Sequence, residues 1–165
     1  MLKEFLSHHL LSHLDKLAVA VSGGADSLAL ALMMNGECKN LGIKLTALTV
    51  EHGLREESAA EASYVAKLMK ECGIEHHILV WKGQKPVTGI EEAAREARYA
   101  LLEEWCLDHD FKAIAVAHQA HDQAETFLMR LQRGSGLDGL SGMKPVSLRG
   151  GLLILRPLLN VMPEE

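Results

Sequence analysis

The chain has 165 residues, 48% of them hydrophobic and 24% charged, with a formal net charge of −5. That length suits one globular domain with a sizeable core. No run approaches the ~18 apolar residues of a membrane span, and the acid at Glu4, with no small-residue cleavage site after it, excludes a secretory signal. The acidic balance also excludes a strongly basic nucleic-acid module, so either the partner is not a nucleic acid or the basic surface lies elsewhere.

Residues 2–14 show an apolar helical period. Leu17–Val21 is a short apolar run that predicts a buried parallel strand, and residues 26–39 predict the helix after it, stopped by Gly42. Ile43–Val50 predicts a second strand. Ser58 and Glu61 have the spacing of a capping box, opening a helix that runs to Cys72 before Gly73. His76–Trp81 predicts a third strand, followed by a loop with Gly83, Pro86 and Gly89. Ile90–Asp108 predicts the longest helix, with Ile90, Ala94, Ala97, Leu101 and Trp105 on one apolar face. Lys112–Ala117 predicts a fourth strand. Asp122 and Glu125 read as a second capping box, with Asp122 as the cap of a helix ending near Arg133-Gly134. Gly134–Pro145 reads as a glycine-rich mobile loop, and Leu152–Leu155 as a fifth strand stopped by Pro157.

Alternating strands and helices predict an α/β fold: a parallel sheet of about five strands with helices on both faces. Ligands in such folds bind beyond the carboxyl ends of the strands. Ser22–Ser27, Glu51–Arg55, Trp81–Gly89 and His118–Asp122 all fall there, and they are expected to meet at one crevice.

The turn Ser22-Gly23-Gly24-Ala25-Asp26-Ser27 joins the first strand to the first helix. Its glycines admit close backbone approach, and the free N–H groups of the first helical turn carry partial positive charge, which together suit phosphate. An ordinary capped turn has the same composition. Asp26 beside phosphate makes sense when Mg²⁺ bridges the two. No Lys follows the glycines and the spacing is not GxGxxG, so neither a P-loop NTPase nor a dinucleotide site is indicated.

Arg55 offers a fork of donors for phosphate or nucleic-acid backbone, or is simply solvated. His118-x-x-His121 with Asp122 supplies only two imidazoles and no third ligand at zinc spacing; His118 reads better as a donor to phosphate or a leaving group. Glu125 closes the capping box. Arg130 and Arg133 are a solvated face or a phosphate contact. Cys38, Cys72 and Cys106 are widely spaced with no Cys-x-x-Cys, and read as reduced thiols of a cytoplasmic protein rather than a zinc ribbon or redox pair.

Ser-Gly-Gly-x-Asp-Ser resembles the loop of PP-loop ATP pyrophosphatases, which cleave ATP between the α- and β-phosphates. The wider set resembles the tRNA(Ile)-lysidine synthetases over nearly all of residues 17–158. It comprises Ser22–Ser27; His52-Gly53-Leu54-Arg55; Gly89-Ile90-Glu91 with Ala94-Arg95 and Ala97-Arg98-Tyr99; Ala117-His118; Asp122–Thr126; Arg133–Gly136; Gly139-Leu140; and Arg156-Pro157-Leu158. Position 51, commonly Asp in that family, is Glu51, and position 121, commonly Asp, is His121.

The resemblance implies a PP-loop fold with ATP and Mg²⁺ as cofactors. Ser22, Gly23, Gly24, Ala25, Asp26 and Ser27 would hold pyrophosphate, and Asp26 the metal. Arg55, His118 and Asp122 would join Asp26 in catalysis. The implied partners are L-lysine and tRNA(Ile) with a CAU anticodon, and a homodimer is compatible with it. It further implies that residues 1–165 are a single nucleotide-binding domain, with more of the catalytic domain and the tRNA-binding domains lying beyond Glu165. The alternatives are a tRNA thiolase-like PP-loop enzyme, for which the paired cysteines are missing, and an adenine-nucleotide-binding module without catalysis.

Overall fold

The structure is a computed structural model, and it describes residues 4–5, 14–54, 58–83, 85–132 and 142–161. The described elements are β1 (Lys16–Ala20), α1 (Ala25–Leu41), β2 (Lys44–Glu51), α2 (Ser58–Glu71), β3 (Glu75–Val80), α3 (Ile90–Asp108), β4 (Ala113–Ala115), α4 (Ala120–Gln132), β5 (Val146–Arg149) and β6 (Leu152–Leu155). Of the expected N-terminal helix only Glu4 and Phe5 lie among the described residues, and both are helical.

The strands form one six-stranded sheet in the order β3-β2-β1-β4-β6-β5. All neighbours are parallel except β5 and β6. Alternation along β1 sends Leu17 and Val19 to one face and Ala18 to the other, as the two-residue period of a strand requires. The first face packs on Leu30, Met34 and Cys38 of α1 and Val65 and Met69 of α2. The second packs on Tyr99, Leu102 and Cys106 of α3. Helices therefore cover both faces, as expected. Among the described residues no helix is long and apolar enough to cross a membrane.

Three expectations are corrected. First, the sheet has a sixth strand: β5 pairs antiparallel with β6, with Arg149 opposite Leu152. Gly150 (φ 52°) and Gly151 (φ 101°) make the two-residue turn, for which positive φ at both positions is required. Second, α4 begins at Ala120, so Asp122 lies in its first turn and is not the cap. Third, the buried stripe of α3 is Tyr99, Leu102 and Cys106, one position on from the apolar face expected, while Ile90 is exposed. Tyr99 counts as core here, and Leu101 and Trp105 are only half-buried at its flank.

The end of the glycine-rich segment is held in place. The Gln123 amide donates to the Met143 carbonyl at 2.7 Å and accepts the Met143 N–H at 2.6 Å. Arg156 donates to the Lys144 carbonyl at 3.0 Å. Residues 134–141 of that segment lie outside the described residues.

Candidate nucleotide site

The chain runs from β1 outward through β2 and β3, then returns to place β4 on the other side of β1. The carboxyl ends of β1 and β4 therefore flank a switch point, where open α/β sheets bind ligands. A cavity of about 530 Å³ lies there, within the usual range of small-molecule sites.

Its walls come from distant parts of the chain. The turn after β1 supplies Ser22, Gly24, Asp26 and Ser27; β2 and its end supply Thr49, Glu51, His52 and Leu54; α2 supplies Ser58, Glu61 and Ala62. The end of β4 supplies His118, with Asp122 from α4. Three of the four expected segments thus converge. No described residue of Trp81–Gly89 is among the lining residues. That expectation is corrected: β3 is the outermost strand on its side, so its end opens away from the switch point, and it reaches the site only from behind, through an edge-on contact of Trp81 with His52, 6.2 Å between ring centres, and through Lys85, whose Nζ lies 3.1 Å from where a Cβ on Gly53 would stand. The helix after it takes its place, bringing Arg95, Arg98, Tyr99 and Leu102 to the cavity.

The turn after β1 has a geometry that suits an anion. Gly24 is the N-cap of α1, and no side chain caps the helix. The first helical hydrogen bond runs from Leu28 N–H to the Gly24 carbonyl at 3.1 Å, so the N–H groups of Ala25, Asp26 and Ser27 have no intrahelical acceptor. They carry partial positive charge, and Asp26 and Ser27 of that turn line the cavity. Gly23 has φ 91°, and a Cβ there would stand 3.3 Å from Val65 Cγ2. The positive φ calls for glycine, and the tight approach would make Val65 yield by a few tenths of an ångström to any side chain there. The Ser27 hydroxyl is turned into the loop: it donates to the Gly24 carbonyl at 2.8 Å and accepts the Ser22 N–H at 3.1 Å. Its side chain is buried and shapes the turn, leaving backbone N–H groups to meet a ligand.

Asp26 is exposed in the first turn of α1 and lines the cavity. Among the described residues no three His, Cys, Asp or Glu side chains are grouped to cage a metal. Mg²⁺ does not need a protein cage, because one carboxylate with phosphate oxygens and water suffices, and the lone Asp26 in the turn fits that donor set.

His118 is largely enclosed. Burial, then Arg156, push its imidazole down to about 4, with Asp122 opposing and Arg95 and Arg98 adding to the fall. His52 is lowered in the same direction by burial, then Arg98 and Lys85. Both imidazoles are therefore neutral at pH 7. His118 Nδ1, His52 Nδ1 and the Tyr99 hydroxyl are buried and have no hydrogen-bond partner among the described residues. Unpaired buried polar atoms are costly, so their presence around one cavity marks it as built to receive a polar ligand. Arg95 and Arg98 lie over the Tyr99 ring at 5.5 Å each, which fixes two guanidinium groups at the wall.

Asp122 has a structural task. Its Oδ2 accepts the Gln119 N–H at 2.6 Å, so Gln119 occupies the cap position of α4 and Asp122 reaches back to it from the third helical residue. His121 is exposed. Arg55 and Arg133 lie outside the described residues, as do the side chains of Glu125 and Arg130. The cysteines are free, and Cys38 and Cys106 sit in the cores on opposite faces of the sheet. Burial, with Glu37 adding, pushes Cys38 up to about 11, and burial pushes Cys106 up to about 12. They are inert packing residues and cannot share a cluster.

Sequence reasoning left Arg95, Arg98, Tyr99 and Thr49 without a role. The first three had a signal. Residues 95, 98, 99 and 102 follow the helical i, i+3, i+4, i+7 period, a stripe hidden because arginine stems and a tyrosine do not count as apolar.

A family model described as a PP-loop domain matches residues 1–165, and the chain belongs to that family. Among curated proteins it is 50% identical over 153 residues to a tRNA(Ile)-lysidine synthase of Wolbachia pipientis wMel, covering 92% of this chain and 36% of that protein. It is 49% identical over 147 residues to a tRNA(Ile)-lysidine synthase of Bradyrhizobium diazoefficiens, covering 88% of this chain and 41% of that protein. The chain thus spans about two-fifths of the length of these relatives. Among solved structures, a U34-tRNA thiolase from Methanococcus maripaludis superposes with a TM-score of 0.83 at 22% identity, over 98% of this chain and 58% of that one. An NMN synthetase from Francisella tularensis superposes with a TM-score of 0.61 at 15% identity, over 97% of this chain and 62% of that one. These two likenesses concern the fold. The thiolase carries a [4Fe-4S] cluster; here the cysteines are divided between opposite faces of the sheet.

Proposed function

We propose that this chain is the ATP-handling unit of a tRNA(Ile)-lysidine synthetase, acting on the wobble cytidine of a CAU anticodon. The observation that carries this reading is that residues of separate motifs shared with that family (Ser22, Gly24, Asp26, Ser27, His52, Arg95, Arg98 and His118) line a single cavity.

In this reading ATP lies with its phosphates against the first-turn N–H groups of α1. The cytosine 2-carbonyl oxygen attacks the α-phosphorus, and the bond to pyrophosphate breaks. The ε-amine of lysine then attacks C2, and AMP departs with the oxygen. Bound at Asp26, Mg²⁺ would supply electrostatic stabilisation of the leaving pyrophosphate. The chain's own residues act chiefly by positioning, since AMP is already a good leaving group. The Ser22–Ser27 turn receives the departing pyrophosphate. Arg95 and Arg98 balance phosphate charge from the opposite wall. Neutral His118 and the Tyr99 hydroxyl offer hydrogen bonds to phosphate or base without bringing a charge of their own. Arg55 and Asp122 belong to the same set, Asp122 by holding the start of α4 against the cavity.

The test is product analysis with purified protein, ATP, Mg²⁺, lysine and a tRNA(Ile) transcript carrying CAU. The expected products are AMP, pyrophosphate and lysidine at the wobble position, all dependent on the tRNA. Pyrophosphate release independent of tRNA, or ADP as product, would contradict the reading.

A further inference from the structure

A hydrogen-bond chain crosses the sheet from the outermost strand to the phosphate turn. The Thr49 hydroxyl donates to the Val21 carbonyl at 2.8 Å. Its one hydrogen is thereby used, so its 2.8 Å contact with His76 Nε2 is a bond donated by the imidazole. This assigns the Nε2–H tautomer to neutral His76 through the network. On the other side of the same peptide unit, the Ser22 N–H donates to Ser27 Oγ at 3.1 Å, and Ser27 donates onward to the Gly24 carbonyl at 2.8 Å. The Ser22 hydroxyl, 3.2 Å from Ser27 Oγ, must donate to it as well.

The Val21–Ser22 peptide is therefore pinned at its oxygen by β2 and β3 and at its nitrogen by α1. Every donor and acceptor along the chain points in one consistent direction, from His76 to Gly24, an arrangement in which each bond polarises the next. This peptide is the last one before the glycines, so fixing its plane anchors the start of the turn whose N–H groups follow. Thr49 itself lines the cavity, while His76 does not and acts only through Thr49.

We propose that Thr49 and His76 are positioning residues for the phosphate turn, locking the Val21–Ser22 peptide plane so that the turn is ordered before nucleotide arrives. The inference rests on the reading of Ser22–Ser27 as a triphosphate cradle. A preorganised cradle binds more tightly because less ordering is left to be done on binding.

The experiment uses two readouts, amide hydrogen exchange at Ser22 without ligand and titration with ATP. Thr49→Val removes the hydroxyl while keeping the shape. It is expected to raise Ser22 exchange and weaken ATP binding by about tenfold each, the scale of one buried hydrogen bond. Thr49→Ser is expected to restore both. His76→Leu should weaken binding and raise Ser22 exchange, whereas His76→Gln, whose amide can reach the Nε2 position, should restore them. The His76 pair decides the matter if Thr49→Val fails to fold. Unchanged Ser22 exchange in Thr49→Val and His76→Leu would overturn the lock, and so would equal ATP affinity in His76→Leu and His76→Gln. A wild-type chain that takes up no ATP would instead sink the cradle reading, and Ser22 exchange alone would then decide whether the lock exists.

Discussion

The Asp122 carboxylate accepts the backbone N–H of Gln119 at 2.6 Å, closing the first turn of α4 directly beside His118. A charge-assisted bond at a helix start contributes about 1 kcal/mol to stability. Asp122→Ala is expected to lower the unfolding free energy by about that amount in urea titrations. Because α4 begins two residues after His118, the same variant should weaken nucleotide binding as well. A variant as stable as wild type would show that the bond contributes nothing.

Gly23 combines φ 91° with the close approach of Val65. Gly23→Ala is expected to destabilise the fold by about 1–2 kcal/mol and to misdirect the cradle. Adding Val65→Ala removes the contact and leaves the backbone strain, so the double variant should recover only part of the loss. Full recovery would mean that space alone, and not conformation, selects glycine here.

The enclosed His118 gives stability a pH dependence with a definite sign. Its folded pKa, about 4, lies below the ordinary 6.5. The unfolded chain therefore takes up the proton first as pH falls. The stability contributed by neutral His118 is whole above pH 6.5 and is lost progressively down to about pH 4. A shift of this size corresponds to about 3 kcal/mol at most. Urea unfolding of wild type and His118→Gln at pH 7 and pH 4.5 should show a steeper fall in wild type. Parallel curves would refute this origin of the pH dependence.

Asp26 is exposed and lies in the first turn of α1, where a carboxylate gains only the modest favour of the helix dipole. Asp26→Ala should therefore unfold within about 1 kcal/mol of wild type. In the reading advanced here it should also abolish Mg²⁺-dependent ATP use. An unchanged rate would remove Asp26 from the mechanism.

The parallel core of the fold was legible because buried parallel strands are short continuous apolar runs, and Leu17–Val21, Ile43–Val50 and Leu152–Leu155 are such runs. The β5 hairpin was not read, although Gly150-Gly151 between two short segments is its signal. Exposed Leu148 gives that strand no clean alternation, so residues 146–151, between the glycine-rich stretch and the next strand, were left unassigned. At the site, the turn Ser22–Ser27 and the ends at His52 and His118 were legible from their place after strands. Arg95, Arg98 and Tyr99 were legible only as part of the family resemblance; their place on the cavity wall was not, because a search for aliphatic periodicity passes over charged stems and one aromatic ring. Trp81–Gly89 was placed at the site by position alone, which cannot say that β3 would be an outer strand. Strand order is a tertiary property, set by which faces pack. The Thr49–His76 pair left no local trace, since it joins residues brought together only by the pairing of β2 and β3.

The most direct measurement is titration of the isotope-labelled chain with ATP and Mg²⁺, followed by the backbone amide resonances. Saturable shifts are expected, centred on Gly23, Gly24, Ala25, Asp26 and Ser27, with smaller ones at His52 and His118. Saturable binding that leaves these amides unmoved, or the absence of any binding, would contradict the cradle reading.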